Sequence, residues 1–151
     1  MLPRWAALDN PGKSVHFIRA SGALPLPTPV PDGSISKLRE FLNIESEEQW
    51  CLIVAWLIGC FMPAGPHPVL MLQGEQGTAK STTARLLRAL VDPRKPPLRG
   101  MPKDPRDFSI AARNSWLLIF DNISSLPAWL ADCLCTLSTG GRLRCQDALR
   151  R

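Results

Sequence analysis

The chain has 151 residues, of which 45% are hydrophobic and 21% charged; this is ordinary for one globular domain and long enough to bury a core. Its five cysteines form no C-x-x-C pair and only His16 and His67 could join them, so a zinc site or a disulfide framework is not expected and buried free thiols in a reducing compartment are. The net charge of +5 is uneven: residues 80–113 hold nine basic and three acidic side chains, a local +6 that leaves −1 elsewhere, and such a block fits a nucleic-acid partner as well as a solvated face.

Residues 1–33 read as an extended, proline-rich N-terminal segment. Val15-His16-Phe17-Ile18 has the composition of a short strand. From Leu24 to Pro31 proline alternates with other residues, which removes N–H donors and disfavours helix, so an extended strap lying over the core is expected. Residues 34–66 read as a helical segment packed on the core. The spacing of Ile35, Leu38, Phe41 and Leu42 predicts a short amphipathic helix over 35–43. Ser46 with Gln49 three residues later is a capping box, and Glu47 and Glu48 suit the positive end of a helix. That helix, from Glu47 to about Met62, carries little polar surface after Gln49 and is expected to be largely buried. The apolar run Trp50–Met62 is too short to cross a bilayer and stops at Pro63, so no membrane partner is expected and the cytoplasm is the expected location.

Residues 67–151 carry the chemistry. Val69-Leu70-Met71-Leu72 reads as a buried strand, and Thr83–Leu90 as a helix. Between them lies Gly74-Glu75-Gln76-Gly77-Thr78-Ala79-Lys80-Ser81-Thr82. Strand, glycine loop and helix opening on Lys-Ser is the layout of a phosphate-binding loop. Successive backbone N–H groups and the positive end of the helix dipole favour an anion at one point. Lys80 adds a full charge on the outer phosphates, and the Ser81 hydroxyl can hold Mg²⁺. The usual pattern, G-x-x-x-x-G-K-[ST], has glycine where this chain has Ala79. Alanine keeps the N–H donor, and only a backbone at φ > 0 or a tight contact would exclude it.

Downstream, Asp92-Pro93 stops the loop helix, and Pro96–Gly100 allows at most a brief edge strand. Asp104 is placed to cap a helix over 105–113 that has proline in its first turn. Trp116-Leu117-Leu118-Ile119-Phe120 reads as a buried parallel strand closing on Asp121-Asn122. A carboxylate there has the type and place to hold Mg²⁺ opposite the loop, or else to cap a turn. A last helix is expected over 127–137, ending at Gly140-Gly141.

With both motifs in place the chain resembles P-loop ATPases of bacteriophages and integrated elements, related to the AAA+ and superfamily-three helicase group. The carriers are Gly74–Arg85, Val91-Asp92-Pro93, Ala111–Trp116, Phe120-Asp121-Asn122, Leu126–Leu130 and Thr139-Gly140-Gly141. Alanine before the lysine is similar to the G-x-P-G-x-A-K-S loop of replicative minichromosome-maintenance helicases. The resemblance implies an α/β three-layer fold with a mostly parallel sheet, incomplete at the C-terminus and preceded by the small helical segment. It implies ATP and Mg²⁺ as cofactors, Gly74 to Thr82 as the nucleotide loop, Ser81 and Asp121 as metal ligands, and Lys80, Asp121 and Asn122 as the catalytic set. It further implies a single- or double-stranded DNA partner and a homo-oligomeric ring. Two departures set the alternative, a truncated remnant that binds nucleotide or DNA without turnover. Asn122 stands where many members have a glutamate that activates water, and no apolar strand follows Gly141. Arg99, Arg106 and Arg113 are candidates for phosphate or DNA contacts. A small-molecule kinase would need an acceptor pocket and lid that the sequence does not display.

Overall fold

A computed structural model describes residues 20–31 and 33–140. The strand expected at Val15–Ile18 and the basic residues after Gly140 lie outside the described residues. Within them, the helices opening at Glu47 and Pro105 start where a side-chain oxygen accepts a first-turn N–H and the one opening at Ala128 starts after a proline, whereas the one opening at Lys80 has neither. α1, Ser36–Arg39, is a single turn, and the expected helix over 35–43 continues only as turns through Leu42. α2, Glu47–Cys60, opens on the expected cap: the Ser46 hydroxyl accepts the Gln49 N–H at 3.2 Å, and the Gln49 side chain in turn accepts the Glu45 N–H at 3.0 Å. α3, Lys80–Val91, begins at the lysine itself, three residues earlier than expected. α4, Pro105–Arg113, has Pro105 in its first turn and the Asp104 carboxylate on the Asp107 N–H at 2.8 Å. α5, Ala128–Ser138, starts after Pro127 and gives way to Gly140 at φ 77°.

Two helix pairs form the interior. α2 packs on α3, where Leu42, Ile53, Leu57, Leu87 and Val91 make one buried cluster, with Trp50, Trp56, Leu70 and Leu117 leaning on it. α4 packs on α5, where Phe108 and Leu130 are fully buried and the Phe108 ring lies 6.0 Å from that of Phe120. The apolar length of α2 predicts burial all round, and the structure corrects this. Only Ile53 and Leu57 are buried, whereas Leu52, Ile58, Phe61 and Met62 are exposed, because α3 covers one stripe of the helix and leaves the opposite side open. The proline strap is likewise open to solvent, with Leu26 and Val30 exposed, and it is tied down at its start by the Leu24 N–H on Pro93 O at 2.8 Å.

The largest correction concerns the fold class. The described residues form five helices and no strand, so the three-layer fold with a parallel sheet is not present. The apolar runs that predict strands are there, but they lack ladders. Around Val69–Leu72, exposed Val69 and Met71 alternate with half-buried Leu70 and Leu72, the period of a strand. No backbone hydrogen bond joins residues 69–73 to another described segment. At the second run one isolated parallel bridge, Arg99 with Phe120, is held by the Arg99 N–H on Ile119 O and the Asp121 N–H on Arg99 O. Pro96, Pro97 and Pro102 flank Arg99 and remove the donors that would extend it. A second isolated bridge pairs Ala23 with Arg94. Alternating hydrophobicity specifies which side of a segment is buried, but a sheet also needs a neighbour for its peptide groups.

No helix among the described residues is long and apolar enough to cross a membrane.

Candidate functional site: a glycine loop facing Asp121

The loop between Gln73 and α3 is shaped by three residues at positive φ. Gly74 sits at φ 150°, and a Cβ there would come within 2.8 Å of the Thr78 hydroxyl, so only glycine fits. Gly77, at φ 90°, provides a left-handed turn within the loop. Ala79 is the third, at φ 60° and ψ 19°, a left-handed conformation in which alanine is strained. The glycine of the usual pattern is thus replaced at a position that favours it. Ala79→Gly is expected to stabilise the chain by about 0.5–1 kcal/mol, the relief of the left-handed Cβ less the added freedom of the unfolded chain. Thermal melts read this as a rise of about 2 °C, whereas a fall would show that the backbone is relaxed there.

The turn leaves donors free. Among the described residues no backbone hydrogen bond takes up the N–H groups of Gln76, Gly77, Ala79, Lys80, Ser81 or Thr82, and the Thr83 N–H is the first to bond, to Ala79 O at 2.9 Å. The Lys80 ammonium turns back into the loop. It donates to the carbonyls of Gly74, at 2.8 Å, and Glu75, and to the Thr78 hydroxyl at 3.2 Å. The Thr78 hydroxyl in turn donates to Glu75 O at 2.9 Å, which closes the turn on itself.

Forty residues further on, the Asp121 carboxylate meets this helix start. The Ser81 hydroxyl lies 2.9 Å from both carboxylate oxygens. Asn122, at φ 58°, folds the chain back so that its own N–H reaches Asp121 Oδ1 at 3.1 Å. Asp121 is positioned by its N–H on Arg99 O at 2.8 Å, so one short bridge aims the acid at α3. The loop, residues 67–73, residues 115–126 and the end of α5 border a groove of about 1470 Å³. Gln76, Gly77, Thr78, Ala79, Lys80, Ser81 and Thr82 line it together with Asp121 and Asn122. Gly74 and Glu75 do not; their carbonyls hold the lysine instead. Cys60, whose carbonyl accepts the Trp116 indole N–H at 2.7 Å, lies on the far side, and burial pushes its thiol up to about 11. It is therefore an inert apolar group.

The remaining candidates separate. Arg106 and Arg113 are exposed on α4. Arg99 is half-buried and joins a cluster that the sequence reading missed. Asp92, which reads from the sequence as a helix stop, accepts from Arg88 Nη2 at 3.3 Å and from the Leu117 N–H at 3.1 Å, and it lies 3.8 Å from Arg94 Nε. Arg88 is 2% exposed and Arg94 5%. Burial lowers the pKa of the Arg88 guanidinium, Asp92 acts to raise it, and Arg94 and Arg99 lower it further. The available signal was the i,i+4 spacing of Arg88 and Asp92 across the end of the helix.

No curated protein and no solved structure matches the chain. A family model, described as "Actinomycete integrative conjugative element replication protein", matches residues 35–149. That supports the mobile-element replication half of the resemblance, without reaching its ATPase or bacteriophage half. The match spans α1 to α5 and both halves of the groove, and by it the chain belongs to the family of actinomycete integrative conjugative element replication proteins.

Proposed function

We propose that the chain is the nucleotide-binding part of a mobile-element replication protein, and that it takes Mg·ATP at the loop of residues 74–82. The observation that carries this reading is the meeting of Ser81 with both oxygens of Asp121 beside a turn whose N–H groups are unpaired. A hydroxyl and a carboxylate are hard oxygen ligands. They fit Mg²⁺, which keeps most of its shell for water and phosphate rather than a full protein cage. When bound, the ion would neutralise charge on the outer phosphates. The free amides of Gln76, Gly77 and Ala79 to Thr82 would receive the phosphate oxygens, and the Lys80 ammonium would leave the carbonyls of Gly74 and Glu75 for them.

A second reading has its own support. Asp121 is the one carboxylate lining the groove among the described residues, and it is committed to Ser81. Asn122 can orient a water but cannot take its proton. Binding without turnover is therefore the alternative, with DNA as a partner in either case. Calorimetric titration of the full chain with ATP is expected to show binding that strengthens with Mg²⁺; no binding in either condition overturns the first reading. Phosphate release with and without single-stranded DNA then separates the two. DNA-stimulated turnover supports a motor with an arginine supplied by a neighbouring subunit of a ring, and silence supports the remnant.

A further inference from the structure

The cluster at the C-terminal end of α3 has more positive charge than its acid can balance. Arg88 and Arg94 share Asp92 alone, Arg99 adds its charge close enough to act on Arg88, and the Nε of each of the three arginines is buried with no hydrogen-bond partner. Arg94 spends one further donor on Ser21 O at 3.2 Å. Buried guanidinium Nε–H groups without partners are costly, so a set of them with excess positive charge marks a place where an anion is favoured. Arg99 also borders a separate cavity of about 440 Å³, with Lys103, Gly100, Met101 and Phe120 around it. The N–H groups of Gly100 and Met101 take no backbone hydrogen bond among the described residues, and the space beside the Gly100 Cα is open. The acid in that wall, Asp107, is already accepting the Lys103 N–H at 3.2 Å. With Asp107 and Asp92 counted against Arg88, Arg94, Arg99 and Lys103, a charge of +2 remains.

We propose that Arg99 and Lys103, with the amides of Gly100 and Met101, form a second phosphate site that takes a backbone phosphate of a DNA strand, and that Arg88 and Arg94 supply unbalanced charge behind it. The site uses other side chains than the glycine loop, but the Arg99 carbonyl also holds the Asp121 N–H at 2.8 Å, so the test uses side-chain changes that leave that backbone bond in place. A strand phosphate fits better than a buried small anion because Lys103 is exposed at the rim and the basic block continues onto Arg106 and Arg113 of α4. The same chemistry would hold inorganic phosphate or the phosphates of a free nucleotide, and the assay separates these sources.

Fluorescence anisotropy of a labelled 20-nucleotide single strand, titrated with the full chain over a salt series, tests this. Arg99→Gln is expected to weaken binding about tenfold, the loss of one charge-assisted phosphate contact. The slope of log affinity against log salt should flatten by about 0.7 for the phosphate released. Lys103→Gln, an exposed change that keeps the fold, is expected to lose about threefold with the same flattening. Lys37→Gln, at an exposed lysine of α1 that borders neither cavity, should leave both readings unchanged. Parent-like affinity and slope in Lys103→Gln and in folded Arg99→Gln overturn the proposal. So does loss of strand binding in Lys80→Ala alone, which would put the DNA at the glycine loop. If Arg99→Gln weakens competition by inorganic phosphate or ATP while strand binding stays intact, the ligand is a free phosphate and the strand assignment falls.

Discussion

Asp92→Ala is expected to cost about 3–5 kcal/mol, the usual penalty for leaving buried charge without its partner. The Asp92 carboxylate is the shared acceptor of Arg88, the Leu117 N–H and, at longer range, Arg94. Its removal orphans the Arg88 guanidinium and the Leu117 amide in a single step and leaves Arg94 with only its bond to Ser21 O. Since a domain of this size holds on the order of 5–15 kcal/mol in total, one substitution consumes a large share. In a thermal melt it should appear as a fall of about 10 °C. Two companions separate the contributions. Asp92→Asn keeps an acceptor for the Leu117 N–H and removes only the charge, so it should fall between parent and alanine. Arg88→Met in the Asp92→Ala background removes one orphaned guanidinium along with the acid and should recover part of the loss. A melting temperature within about 2 °C of the parent in Asp92→Ala would mean that water reaches the cluster.

Lys80→Ala is expected to weaken Mg·ATP binding about 100-fold while leaving the melting temperature within about 1 °C of the parent. The asymmetry follows from where the ammonium sits. It bonds to two carbonyls and a hydroxyl of an exposed turn, all of which water can replace. A triphosphate has no such substitute for a full positive charge in the turn. Calorimetric titration checks the affinity. Unchanged binding would remove the phosphate-loop reading, and a large drop in melting temperature would recast Lys80 as a staple of the turn.

Local chemistry was the legible part of this chain. Ser46 and Asp104 cap the helices that their neighbours predict, because a cap depends on three or four consecutive residues. The pairing of Ser81 with Asp121 was anticipated by residue type, although forty positions separate them. The sheet was misread because Val69–Leu72 and Trp116–Phe120 have strand composition, whereas pairing depends on which backbone lies alongside, and that is written nowhere within the segments. The exposure of α2 was misread for a related reason. Leu52 and Ile58 are as apolar as Ile53 and Leu57, and only the side on which α3 packs decides which of them is covered. Charge clusters were the least legible. Arg88 and Arg94 look like scattered surface residues until the chain brings them round one carboxylate.

The stretch Val69–Leu72 has a consequence for the behaviour of many copies at once. Among the described residues its peptide groups have no ladder partners, and two of its apolar side chains reach solvent. A segment of that kind is a template on which like chains can stack into fibrils. Pro66 and Pro68 stand directly ahead of it. As gatekeepers they deny a stacking neighbour the amide hydrogens it would need at that end, and so limit the adhesive length to a few residues.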